Sequence, residues 1–289
     1  MHVQRCEDAR RFLDETRSYR AREPMRTNVL GSVAATVIAG DDRYAERFWW
    51  VVRDDDGAVV GAAMRTAPYA LSIGPMPDAA VEAVARAVAA VDDDVPSVAG
   101  FGGCIDAFLA AYATTGTPGG RRAVGAVHRQ VLYTATSVRA PEVPGTIRVA
   151  TEPELGHAEA WYLDFTEEVD GVRPPASAVE REVLLGTLRD GRLRWWCDEG
   201  EVVSMAAHAV PVANPGGAVT RIGPVYTPPS RRRRGYAAAL TAALTELLLA
   251  RGSSVMLYAD AANATSRGVY ERLGYTALDE LVRTTLAPR

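Results

Sequence analysis

The sequence predicts two domains of one α+β architecture with mixed sheets. Three observations carry this. The chain has 289 residues, enough for two ordinary domains. One order of patterns (helix, hairpin, strand, helix, strand, helix, strand) occurs twice. Between the two runs stands a proline-marked connector, "RAPEVPG" at 139–145. Domain boundaries of 1–140 and 145–289 follow.

In the first run, the charged start "MHVQRCEDARRFLDETRSYR" reads as helix, with one or two helices over about 6–40. Two apolar runs around an Asp-Gly turn, "RFWWVVRDDDGAVVGAAMRTAPY", form a hairpin. "YALSIGP" is a short strand, and "DAAVEAVARAVAAV" has apolar residues at helical spacing. "VPSVAGFGG" is a strand and turn, "CIDAFLAAYATTG" a helix, and "AVGAVHRQVLYTATSV" a closing strand.

In the second run "TIRVA" is a strand. Thr151 with Glu154 three residues later makes a capping box for the helix in "TEPELGHAEAWYLDF", and further helix lies near 177–189. "LRWWCDEGEVVSMAAHAVPV" is a hairpin across Glu199-Gly200, and "AVTRIGPVYT" a long strand. A helix over 236–251 places Leu240, Leu244, Leu247 and Leu248 on one face and stops at Gly252. "SVMLYAD" as strand, "ATSRGVYERLG" as helix and "LVRTTLA" as strand complete the chain.

Apolar residues at 48% and charged residues at 24% describe a globular chain. A formal charge of −4 argues against a general polyanion binder, so nucleic acid is not an expected partner. All 32 basic residues are arginine, the mark of GC-rich codon usage. The three cysteines (Cys6, Cys104, Cys197) lack CxxC spacing, which speaks for a reducing compartment. His2, His128, His157 and His208 stand apart in sequence, so no metal is expected. No run approaches the roughly 20 apolar residues of a membrane span, and the N-terminus lacks a signal-peptide core. A cytoplasmic location with no membrane partner is the expectation.

The chemistry concentrates at "RIGPVYTPPSRRRRGYAAAL", 221–240. Thr227, Pro228 and Pro229 end a strand. Gly235 and Ala237 open a helix, whose free N–H groups and partial positive charge suit an anion. Arg232, Arg233 and Arg234 add charge at the same point. Taken alone, four arginines read as a solvated face or basic patch. A second constellation follows some thirty residues on: Asn263 at a strand–helix junction, then Ser266 and Tyr270 four apart on one helix face.

Residues 220–278 resemble the acyl-CoA-binding core of the GNAT superfamily of N-acetyltransferases. The pyrophosphate signature Gln/Arg-x-x-Gly-x-Gly/Ala stands as Arg232-Arg233-Arg234-Gly235-Tyr236-Ala237, and the downstream signature as Asn263, Tyr270 and "LGY". The resemblance implies tandem GNAT-like domains, each a mixed, mainly antiparallel sheet flanked by helices. The first is a degenerate copy without the cofactor motif. After its corresponding strand the chain reads "SIGPMPDAAVEAV", with Asp78 where a pyrophosphate would dock. Its "GFGG" at 100–103 lies too far downstream and reads as a turn.

The resemblance further implies acetyl-CoA as co-substrate and a primary amine, on a small molecule or peptide, as acceptor. The pyrophosphate would sit on the amides of Arg233 to Ala238, including Tyr236 and Ala237. The pantetheine arm would follow Gly223 to Thr227, with an N–H of Val225 or Tyr226 facing the thioester oxygen. Tyr270 is the implied general acid. Its reference pKa of about 10 exceeds the roughly 8.5 of a thiol. Asn263 and Ser266 would border the arm. For the base, Glu167, Glu168, Asp170, His208 and Asp260 are candidates, and Glu168 is the one expected. The alternative is a regulatory CoA-binding protein without turnover. Acceptor identity and oligomeric state stay open at this stage.

Overall fold

A computed structural model describes residues 1–91, 94–120, 122–171, 173, 175 and 177–287. In the first half, β1 (His2–Cys6) pairs with β2 (Arg47–Arg53), which forms a hairpin with β3 (Val59–Thr66). β4 (Leu71–Ile73) runs antiparallel to β3 and parallel to β5 (Ser97–Phe101). The apolar run of β2 has a simple cause. Successive strand residues face opposite sides, and this sheet is covered on both. Trp49 and Val51 pack under α1 (Ala9–Glu15), α2 (Arg17–Arg22) and α3 (Asn28–Ile38), with Phe12, Tyr19 and Leu30. Trp50 and Val52 pack under α4 (Asp78–Ala89) and α5 (Cys104–Ala113), with Val84 and Phe108. The half ends with β6 (Val124–Ala135).

The second half repeats this plan. β7 (Thr146–Val149) leads through a 3-10 turn (Glu152–Glu154) into α6 (Leu155–Asp170) and α7 (Ala178–Arg189). The expected capping box is formed by Thr151 and Glu154. β8 (Leu193–Asp198) and β9 (Glu201–His208) turn at Glu199-Gly200, both at positive φ as a type I′ turn requires. β10 (Val212–Asn214) pairs with β11 (Gly217–Tyr226), and α8 (Tyr236–Ala250), β12 (Ser253–Asp260), α9 (Ala264–Leu273) and β13 (Thr276–Leu286) follow. Trp195 faces the core under α6 and α7, while Trp196 faces the core under α8 and α9.

Four details differ from the sequence reading. Residues 2–6 are an edge strand, because Val3 and Arg5 register against Val52 and Trp50 of the buried β2. β10 is additional. β13 starts at Thr276, five residues before the apolar "LVRTTLA", held by pairing with β6. On α8, Leu240, Leu244 and Leu248 are buried at strict i, i+4 spacing, whereas Leu247 is 39% exposed.

The halves do not close separately. The sheet order is β1-β2-β3-β4-β5-β13-β6-β12-β11-β9-β8-β7, with β10 beside β11. The last strand of each half therefore lies against the penultimate strand of the other: β13 on β5, and β6 on β12. One continuous sheet runs through both halves. Phe101, Leu132, Val219 and Met256 form an apolar cluster at the junction.

Candidate active site

β11 and β12 run parallel from Ala218↔Ser253 to Ile222↔Leu257, and then part. β12 continues along β6 through Asp260, while β11 shifts register at Ile222/Val225 and continues along β9 through Tyr226. Pro224 contributes no N–H at this point. The result is a wedge between two strands whose outer edges are fully paired. Val225 lines it at the side of the α8 core, and Tyr226 faces α6. Thr227 is buried and bonds to the Ser204 hydroxyl at 2.8 Å.

At the mouth of the wedge the chain turns into α8. Arg233 (φ 62) and Gly235 (φ 83) are both left-handed, and Gly235 caps the helix with no side chain bonding the first-turn amides. The N–H groups of Tyr236, Ala237 and Ala238 thus point outward without a helical partner. A Cβ on Gly235 would stand 2.7 Å from Val143 of the connector, so only glycine fits both the angle and the space. Val143 and the connector are therefore part of the cradle, which no local pattern announces. This geometry fits a pyrophosphate.

The arginines divide their tasks. Arg231 pairs with Glu201, and Arg232 pairs with Glu168 while its Nε donates to the Thr227 carbonyl at 2.8 Å. Arg232 also lies over the Tyr226 ring, 5.8 Å from its centre. Arg233 and Arg234 are exposed, and among the described residues neither has an ion-pair partner. Two free cations flank the open amides. The hydroxyl of Tyr236 is tied to Asp198 at 2.5 Å.

Of the downstream residues, Tyr270 packs in the same apolar cluster as Val225 of the wedge. Asn263 caps α9 by accepting from the Ser266 N–H at 2.9 Å. Tyr270 is 8% exposed, edge-on to Tyr275 at 5.9 Å and tilted to Tyr133 at 6.2 Å. Burial raises its pKa, with a hydrogen bond involving Ser266 acting in the opposite sense. Tyr133 belongs to β6, so the first half helps seat this tyrosine. Its hydroxyl donates to Glu271 at 2.8 Å.

The base candidates are placed unevenly. Glu168 is bound to Arg232. Glu167 and Asp164 share Arg173, and the Tyr226 hydroxyl also reaches Asp164 at 3.4 Å. Asp260 accepts from the Ala262 N–H. The side chain of Asp170 lies outside the described set. His208 registers with Ile222, buried near Arg192, Arg194 and Arg251 at the C-terminal end of α8, far from the cradle; burial lowers its pKa. The structure does not bring His208 to the cradle.

The first half contains the counterpart of the wedge. β4 leads into Ile73-Gly74-Pro75, the same tripeptide as Ile222-Gly223-Pro224. That repeat marks the two corresponding wedges in the sequence itself. Here Tyr19 fills the space: it is 2% exposed, packs onto Gly74 and donates to the Pro75 carbonyl at 2.9 Å. α4 then starts at Asp78, only four residues (74–77) after β4. Among the described residues no His/Cys/Asp/Glu group could hold a metal ion, and no helix is long and apolar enough to cross a membrane.

Comparison with known proteins agrees with this geometry. The family described as FR47-like protein matches residues 198–284, which hold both β11 and α9. No curated protein matches the sequence. Among solved structures, a GNAT-family acetyltransferase from Colwellia psychrerythraea is similar at 10% identity and a TM-score of 0.57, over 99% of this chain and 100% of its own. A tandem GNAT protein from the clavulanic acid biosynthesis pathway is similar at 13% identity and 0.59, over the whole of both chains. A GCN5-related N-acetyltransferase from Kribbella flavida is similar at 18% and 0.54, over 90% and 96%. The chain thus has the tandem GNAT fold.

Proposed function

We propose that this protein is an acyl-CoA-dependent N-acetyltransferase with one cofactor site, in its second half, acting on a primary amine of a small molecule or peptide. The carrying observation is the cradle: three outward amides behind two left-handed residues, flanked by unpaired Arg233 and Arg234, at the mouth of a strand wedge. The degenerate first half is read as a scaffold, since Tyr19 occupies its wedge.

Arg233, Arg234 and the amides of Tyr236 to Ala238 would hold the pyrophosphate of acetyl-CoA, which supplies an acyl carbon activated as a thioester. Val225 or Tyr226 would present an N–H to the thioester oxygen as negative charge develops there. The acceptor nitrogen forms a C–N bond as the C–S bond breaks. Tyr270, held protonated by burial, gives its proton to the leaving sulfur. The amine proton leaves to water, because Glu168 is committed to Arg232. Glu168 is better assigned to orienting that arginine at the rim.

Calorimetric titration of the full chain with acetyl-CoA tests this. Micromolar binding at one site per chain, abolished by Gly235→Glu, is the expected result. Two sites would show that the first half also binds, and no binding would overturn the reading.

A further inference from the structure

The face of the sheet opposite α8 holds a cation that the cofactor reading leaves unused. Arg221 of β11 registers with Met256 of β12, one pair before the strands part. Val219 and Met256 lie in the central apolar cluster, so Arg221 leaves the strand on that same face. Its Nε is shut off from water and has no hydrogen-bond partner among the described residues. Among the described residues, the charged and titratable groups acting on it are three tyrosines, Tyr258, Tyr44 and Tyr162, and no carboxylate. The chain has 36 carboxylate side chains for 32 guanidinium groups, and nearby Arg173 and Arg232 are both paired. Arg221 is half-buried, and a guanidinium whose Nε is desolvated without a partner is unfavourable, so its persistence at a wedge needs a cause.

The surroundings supply one. Tyr258, from β12, has a hydroxyl that is also buried and unpartnered. Tyr44 is 6% exposed and comes from the first half, between α3 and β2, while Tyr162 comes from α6. Three elements from both halves thus bring a tyrosine near one guanidinium, two residues along β11 from Gly223. A guanidinium fork with phenol donors is the receptor for a carboxylate. A phosphate monoester, with close to two charges, would leave one uncompensated.

We infer that the acceptor amine carries a carboxylate, seated on Arg221: an amino acid or a compound of that class. This rests on the acetyltransferase reading for the reaction, but not for carboxylate binding. The test uses the full chain and the standard amino acids, each against its carboxamide, followed by thiol release from acetyl-CoA. At least one acid should be acetylated with a kcat/KM roughly 10- to 100-fold above its amide. Arg221→Met should erase that preference, mainly through KM, with acetyl-CoA affinity unchanged. Arg221→Lys should keep part of it. The Tm of Arg221→Met should equal or exceed that of the parent, since a half-buried guanidinium with a desolvated, unpaired Nε is gone, which separates ligand binding from a structural role.

Equal rates for acids and amides, acetylation of neither, preference for phosphoethanolamine, or a preference that survives Arg221→Met would overturn the inference. If acetyl-CoA itself fails to bind, the acetyltransferase reading falls instead. The Arg221 site is then read from thermal shifts with the same pairs alone. Stabilisation by acids only, lost in Arg221→Met, sustains it, and no difference between acid and amide overturns it.

Discussion

Tyr270 and Glu168 show how a residue's neighbours decide its role. Burial among Tyr133 and Tyr275 raises the Tyr270 pKa, so its proton is kept throughout the neutral range and is available to a leaving thiolate. Tyr270→Phe should lower kcat by roughly 10²-fold while leaving acetyl-CoA affinity within a factor of two or so. An unchanged kcat would remove Tyr270 as the general acid. The sign of the linkage is also set: the folded pKa lies above the unfolded one, so the stabilisation associated with neutral Tyr270 holds below about pH 10 and is lost as pH rises further. Glu168, half-exposed in an ion pair with Arg232, is worth little as a contact. Glu168→Gln should therefore weaken acetyl-CoA binding no more than about fivefold, with kcat changed less than tenfold. A 10²-fold loss of kcat with the acidic limb of the pH profile removed would restore Glu168 as the base.

At the scale of elements, local signals were legible and long-range ones were not. The α8 cradle could be read because its determinants (prolines, small residues, a helix start) are consecutive. So could the Thr151–Glu154 cap, where Arg148 and the Thr151 groups bring the Glu154 pKa down to about 2. That carboxylate stabilises the fold above its unfolded pKa and loses its effect as pH falls from about 4.5 toward 2. Glu154→Gln should cost about 1 kcal/mol at neutral pH and flatten the acid side of a stability–pH curve over that window. Denaturant melts at pH 7 and pH 3 would check it. By contrast, Val143, Tyr44 and Arg221 reach the wedge only through tertiary packing, and no spacing marks them. β1 escaped notice because an edge strand with polar alternate residues looks like the start of a charged helix.

At the scale of the molecule, the exchange of final strands is the feature with the widest consequences. The two-run pattern suggests halves that divide near residue 143, and that connector does join β6 to β7. Yet β6 fills the place beside β12, and β13 the place beside β5, so each half taken alone lacks the strand that closes it. Nothing in "LVRTTLA" or "VLYTATSV" could reveal a partner more than a hundred residues away, because backbone pairing carries no sequence label. A half without its borrowed strand exposes the edge of β5 or β12 and the apolar cluster of Phe101, Leu132, Val219 and Met256, which is an aggregation-prone condition. Fragments 1–140 and 145–289 expressed separately should be insoluble or molten, and co-expression should yield one soluble complex that binds acetyl-CoA. The wedge explains why binding is the right readout: β6 borders β12 and carries Tyr133 against Tyr270, so the cofactor half is incomplete without it. A soluble 145–289 fragment with full acetyl-CoA affinity would show that the exchange is dispensable, and that the first half contributes only the acceptor side through Tyr44.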